Sequence, residues 1–230
     1  MASRKIDKAQ HGPTLTEVVV GATASLVLGF VLAVAYLLLK PVWTGKDLPR
    51  APAGTIFYVE GSRSTEYGKL WLRKKQLFLD GSSVVLNEDE LNAWMMAATA
   101  PPAPEKPVAG QKYTPPAPPG LFQMGTLNFR IRDGVLQIGT KSMLSVELLG
   151  FRHQLIMQAT GRFVKRDGQS VFEISRFYIG SFPLHKLPGL SSQGLGYILG
   201  QAQIPEEIVA AWKKLANVTI EGSTLKLTMP

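Results

Sequence analysis

From Val18 to Leu39 the chain runs without a charged residue, VVVGATASLVLGFVLAVAYLLL. No other feature limits the fold as much, because a run this apolar must be covered by lipid or by a large core. As a helix rising 1.5 Å per residue it measures about 33 Å, enough to cross a hydrocarbon layer of about 30 Å. Glu17 and Lys40 bracket the run, Pro41 stops it, and Tyr36 and Trp43 lie where amphipathic rings favour the interface. Ala33-Val34-Ala35 has the small-x-small form of a signal-peptidase site, but Tyr36, Leu37, Leu38 and Leu39 carry the run beyond it. The expectation is therefore a retained signal anchor over 18–39, with 1–17 as a cytoplasmic tail.

Charge does not decide the orientation by itself. Arg4, Lys5 and Lys8 precede the run and Lys40, Lys46 and Arg50 follow it, so the positive-inside count is nearly even. The short tail and the bulk C-terminal to the helix favour an N-in arrangement. That predicts a single-pass protein of the plasma (inner) membrane with its C-terminal domain exported. Gly21, Ser25, Gly29 and Ala33 recur every four residues and form a stripe on which another backbone can approach closely. The stripe predicts self-association or contact with another membrane protein.

The rest of the chain is the composition of a folded domain, with 45% hydrophobic and 18% charged residues overall. The chain contains no cysteine, which excludes disulfides, thiolate zinc sites, cysteine nucleophiles and iron–sulfur clusters. Residues 40–55 read as a linker. Residues 100–120, APPAPEKPVAGQKYTPPAPPG, hold eight of the 16 prolines and read as a long surface loop within one domain spanning 56–230.

Strands are expected at 56–60 and 70–79, the second from the alternation of Leu70, Leu72, Leu77 and Leu79. Leu127, Phe129 and Ile131 alternate with polar residues ahead of Asp133-Gly134, a strong hairpin signal. Asp167-Gly168 and Glu221-Gly222-Ser223 predict two more hairpins. Asn87 with Glu90 forms a capping box ahead of LNAWMMAA, and Pro205 with Glu206 and Glu207 opens a second helix bearing Ile208, Val209, Trp212 and Leu215. A third helix is expected around 190–201. The class is α+β: a mainly antiparallel sheet covered by two or three helices.

No catalytic signature emerges. His11, His153 and His185 have no metal-binding spacing, and the serines have no G-x-S-x-G elbow. Glu88, Asp89, Glu90, Glu206 and Glu207 open helices, and Asp133 and Asp167 sit in turns, which leaves no obvious carboxylate pair for a hydrolase. No cofactor is expected. The net charge is +8, yet Arg73-Lys74-Lys75 and the cluster of Arg162, Lys165 and Arg166 read as solvated faces or lipid-surface contacts, with no nucleic-acid partner. Trp94, Met95, Met143, Phe151 and Met157 are candidates for an apolar binding surface, with core filling as the plainer role.

Leu86-Asn87-Glu88-Asp89-Glu90-Leu91-Asn92-Ala93, opening a helix after an anchor and a strand pair, resembles the helix start of the YpmS-like small envelope proteins of bacteria. Ile179-Gly180-Ser181-Phe182-Pro183-Leu184 is similar to their late segment before a helix and a terminal hairpin, although His185-Lys186 replace its second proline. The resemblance implies a relationship to tubular lipid-binding folds. Two functional readings result. The first is a non-enzymatic, single-pass envelope protein acting as a binding module or as a subunit of a membrane complex. The second is a lipid-handling module, which a continuous apolar groove along the sheet would favour. A hydrolase with an unrecognised site is a minor third.

Overall fold

The computed structural model describes residues 12–45, 54–99, 121–201 and 204–230. The proline-rich segment 100–120, most of the N-terminal tail and part of the predicted linker lie outside these. Helix α1 (Leu15–Leu39) opens three residues before the uncharged run, on a capping box in which Thr14 and Glu17 satisfy each other's backbone N–H. Among the described residues nothing buries any residue of this apolar helix, and it is long and apolar enough to cross a membrane.

The remainder is α+β. Strand β1 (Trp43–Gly45) lies inside the predicted linker and pairs in parallel with β2 (Phe57–Val59). Helix α2 (Thr65–Leu79) leads to β3 (Val84–Asn87), helix α3 (Glu88–Thr99), the short β4 (Phe122–Gln123) and β5 (Leu127–Arg132). Two long strands follow, β6 (Val135–Val146) and β7 (Phe151–Arg166), and then β8 (Gln169–Ile179) and β9 (Phe182–Pro183). Helices α4 (Leu190–Gln201) and α5 (Glu206–Lys213) precede the terminal pair β10 (Asn217–Glu221) and β11 (Thr224–Thr228).

Strands β4-β6-β7-β8-β9, with β5 also on β6, form one antiparallel sheet, and β10-β11-β3 form a second. Turn chemistry sets the register. Asp133 and Gly134, and again Asp167 and Gly168, take positive φ at both central positions, the geometry that matches strand twist in two-residue hairpins.

The segment 70–79 is helical, which overturns the strand expected there and brings the covering helices to four among the described residues. The alternating leucines misled because Leu70, Leu72 and Leu77 are exposed. Burial falls instead on Trp71 and Phe78, seven apart, with the half-buried Lys74 between them, a helical stripe. Pro205 sits at the N-cap position, one residue before the helix that it was expected to begin. Val209 of that helix is exposed and Ala211 is buried in its stead.

Because side chains alternate along a strand, the large sheet has two distinct faces. Leu136, Ile138, Met157, Ala159, Phe163 and Phe172 share one, through the pairs Leu136–Gly161, Ile138–Ala159 and Phe163–Phe172. The other carries Gln137, Gly139 and Gln158 and is crossed by β2. There Gln137 and Gln158 donate side-chain hydrogen bonds to the carbonyls of Val59 and Phe57. Tyr58 lies on Gly139, where a Cβ would stand 2.2 Å from the Tyr58 ring. Burial, helped by Glu60 and opposed by Arg63, holds the Tyr58 phenol far above its usual ionisation range.

Candidate apolar binding site

The first face of the sheet is not packed shut. Between it and helices α3, α4 and α5 lies a cavity of about 350 Å³. Its walls come from Leu91, Trp94 and Met95 of α3, Leu195 and Leu199 of α4, Ile208 and Trp212 of α5, and Leu136, Ile138, Phe163 and Phe172 of the sheet. Phe163 joins the wall through ring contacts to Phe172 at 5.3 Å and to Trp212 at 6.1 Å. Two exposed lining residues, Val209 and Lys213, mark the opening beside α5.

Ser170 and Lys213 are the two polar residues in the wall among those described. The Ser170 hydroxyl is already engaged: it accepts the Val218 N–H at 2.9 Å and meets Asn217 Oδ1 at 3.4 Å. The interior therefore offers dispersion and desolvation and almost no hydrogen bonding. An apolar cavity of about 150 Å³ stays dry and admits benzene. By proportion this one holds about fourteen carbons, near the lower end of ligand-pocket sizes, which begin at about 300 Å³.

The five predicted apolar positions divide. Trp94 and Met95 line the cavity. Met157 is buried on the same face under Leu195 and Ile198 of α4. Met143 falls on the opposite face by strand parity, and Phe151, half-buried at the far end of β7, stacks on His153 at 6.1 Å. They do not form one surface. The sequence reading missed Leu136, Ile138, Phe163, Phe172, Leu199 and Trp212, which converge on the cavity from elements far apart in the chain.

The acidic cluster at the start of α3 is a structural clasp. Asn87 Oδ1 accepts the Glu90 N–H at 2.8 Å while Glu90 Oε2 accepts the Asn87 N–H at 2.9 Å, and Lys74 pairs with Glu90 at 2.6 Å. Glu88 accepts the backbone N–H groups of Ser62 and Ile131, and Asn92 grips both the N–H and the C=O of Phe129. Among the described residues strand β5 has one strand neighbour, β6, so Glu88 and Asn92 close its other edge as another strand would. Asn128 completes the clasp by accepting the Gly61 N–H at 2.7 Å. His185 is similarly committed, its Nδ1 lying 3.0 Å from the Phe177 carbonyl oxygen. Of the basic triple, Lys74 and Lys75 form ion pairs, the latter with Glu207.

Gly21, Ser25, Gly29 and Ala33 are all exposed on α1, and among the described residues nothing lies within 4 Å of a Cβ built at Gly21 or Gly29. The other end of the helix is engaged. Ser181 donates its backbone N–H to the Leu37 carbonyl at 2.9 Å, and a Cβ at Gly180 would stand 2.4 Å from Leu38 O. Gly180 also has φ +59. The Ile179–Leu184 segment thus caps the carbonyls at the end of α1, a role that only glycine fits at position 180. No protein family, curated protein or solved structure matches the chain.

Proposed function

We propose that this is a single-pass membrane protein whose exported, non-catalytic domain binds one acyl chain of a lipid in the cavity between the sheet and helices α3, α4 and α5. The observation that carries this reading is the cavity, which has the volume of a single chain and nearly no polar group in its wall. The criterion set by the sequence was an apolar groove along the sheet, and the cavity favours the lipid-handling reading over a purely protein-binding one. The resemblance to small envelope proteins points the same way. The proposed orientation is N-in, at the plasma (inner) membrane. The bare stripe of Gly21, Ser25, Gly29 and Ala33 supports a compatible second role, association with itself or with another membrane subunit.

The full chain, stripped of lipid and held in amphipol, is titrated with a dansyl-labelled fatty acid while the directly excited dansyl emission, which brightens and shifts to the blue in an apolar site, is followed. Saturation at one probe per chain, abolished in Leu195→Trp/Leu199→Trp with unchanged circular dichroism, is expected. A linear, unsaturable signal equal in both proteins would overturn the reading.

A further inference from the structure

Most of α1 is exposed, but Val34, Ala35, Leu37 and Leu38, with Lys40 just beyond the helix, are partly covered, and the helix meets β7 and β9. From Val34 to Lys40 the helix rises about 9 Å. The part of the domain that covers these turns therefore lies level with the end of the apolar span. Strand β7 touches this region at Ile156, whose carbonyl accepts the Gly180 N–H at 2.7 Å. Followed away from the cavity, β7 reaches Phe151 after five residues, about 17 Å, and then the β6–β7 turn, Glu147–Leu149.

That end of the sheet is unusually apolar for a solvated turn. Leu148 is 95% exposed and Leu121 64%, and Met143 is also exposed. Leu121 belongs to the same end because its carbonyl accepts the Ser145 N–H at 2.9 Å. Arg152 stands exposed beside them, as does Glu147. Leucines displayed at a turn and a flanking arginine are what an interfacial contact requires, since the apolar tips gain by leaving water and the cation stays among headgroups.

We propose that the β6–β7 tip is a second membrane contact, Leu148 and Leu121 dipping into the interface beside the anchor. The occupant is lipid, argued from the docking of the domain on the end of the apolar helix, where the Ser181 N–H meets the Leu37 carbonyl and keeps the domain at the level of the interface. The inference rests on α1 spanning the bilayer, and it holds whether or not the cavity binds a chain.

The absence of cysteine makes the test clean. Single variants Leu148→Cys, Leu28→Cys and Lys226→Cys of the full chain carry a polarity-sensitive NBD dye and are reconstituted in phosphatidylcholine/phosphatidylglycerol vesicles. Nitroxide lipids, labelled near the headgroup or deep in the chain, serve as quenchers. Leu148→Cys should lose most of its fluorescence to the shallow nitroxide, Leu28→Cys to the deep one, and Lys226→Cys to neither. If Leu148→Cys behaves like Lys226→Cys while Leu28→Cys is quenched, the tip contact is wrong and the span stands. If Leu28→Cys is not quenched either, both fall.

Discussion

Replacing Asn92 with alanine tests whether the acidic helix start is a clasp or a reaction site. Asn92 is 1% exposed. Its amide donates to Phe129 O at 2.8 Å and to Ser62 O at 2.9 Å, and its Oδ1 accepts the Phe129 N–H at 2.6 Å. Truncation removes all three bonds and strands the two Phe129 backbone groups at a buried strand edge. At about 1 kcal/mol net for each bond, with more for a buried group left unsatisfied, the loss comes to about 3–4 kcal/mol. Asn92→Asp adds a contrast: it keeps the acceptor for Phe129 N–H but turns a carboxylate toward two carbonyl oxygens. It should therefore be at least as damaging at neutral pH and partly relieved in acid, where a protonated carboxyl can donate again. Urea unfolding of the full chain in detergent can be read from the Trp71–Trp94 pair, whose rings lie 5.1 Å apart next to the clasp. With a slope of about 2 kcal/mol per molar urea, the Asn92→Ala midpoint falls by about 1.5–2 M. A shift worth less than about 0.5 kcal/mol, the size of an ordinary surface substitution, would refute the clasp.

Other perturbations probe the remaining contacts. Gly180→Val sets a Cβ against Leu38 O at a positive φ and should loosen the domain from the helix. Spin labels at Leu32→Cys and Arg152→Cys would then show a broader distance distribution than in the otherwise unaltered chain, and an unchanged one would contradict the docking. Gly139→Ala drives a methyl into the Tyr58 ring and should cost about 1–3 kcal/mol in the same urea assay. Tyr58 ionises less readily folded than unfolded, so its contribution to stability is intact below pH 10 and is lost as pH rises above it. Tyr58→Phe should flatten that alkaline decline. Gly21→Leu/Gly29→Leu should weaken crosslinking between helices about tenfold, or 1–2 kcal/mol, if the stripe is a contact; equal crosslinking means that it faces lipid.

Short-range chemistry was legible in the sequence. The two Asp-Gly turns, the Asn87–Glu90 box, the α1 run and the 190–201 helix each depend on residues within a few positions of one another, and each is where it was read. Helix α2 was not legible, because its exposed leucines mimic a strand and its true stripe runs through Trp71, Lys74 and Phe78. Trp94 and Met95, named from the sequence as apolar candidates, line the cavity, but nothing local shows that Phe163, Phe172 and Trp212 face them. That follows from strand parity and from the packing of α5, which join residues 68 to 118 positions apart. The roles of Glu88 and Asn92 were hidden for the same reason: their partners Ile131 and Phe129 lie 43 and 37 residues away.

The central claim is that the cavity holds an acyl chain, and native mass spectrometry of the protein extracted from its own membrane tests it most directly. Wild type should fly with one added lipid mass that survives detergent removal. Leu195→Trp/Leu199→Trp, which fills the same space, should fly without it. A wild-type chain free of lipid, or a filled variant that retains the same adduct, would contradict the account.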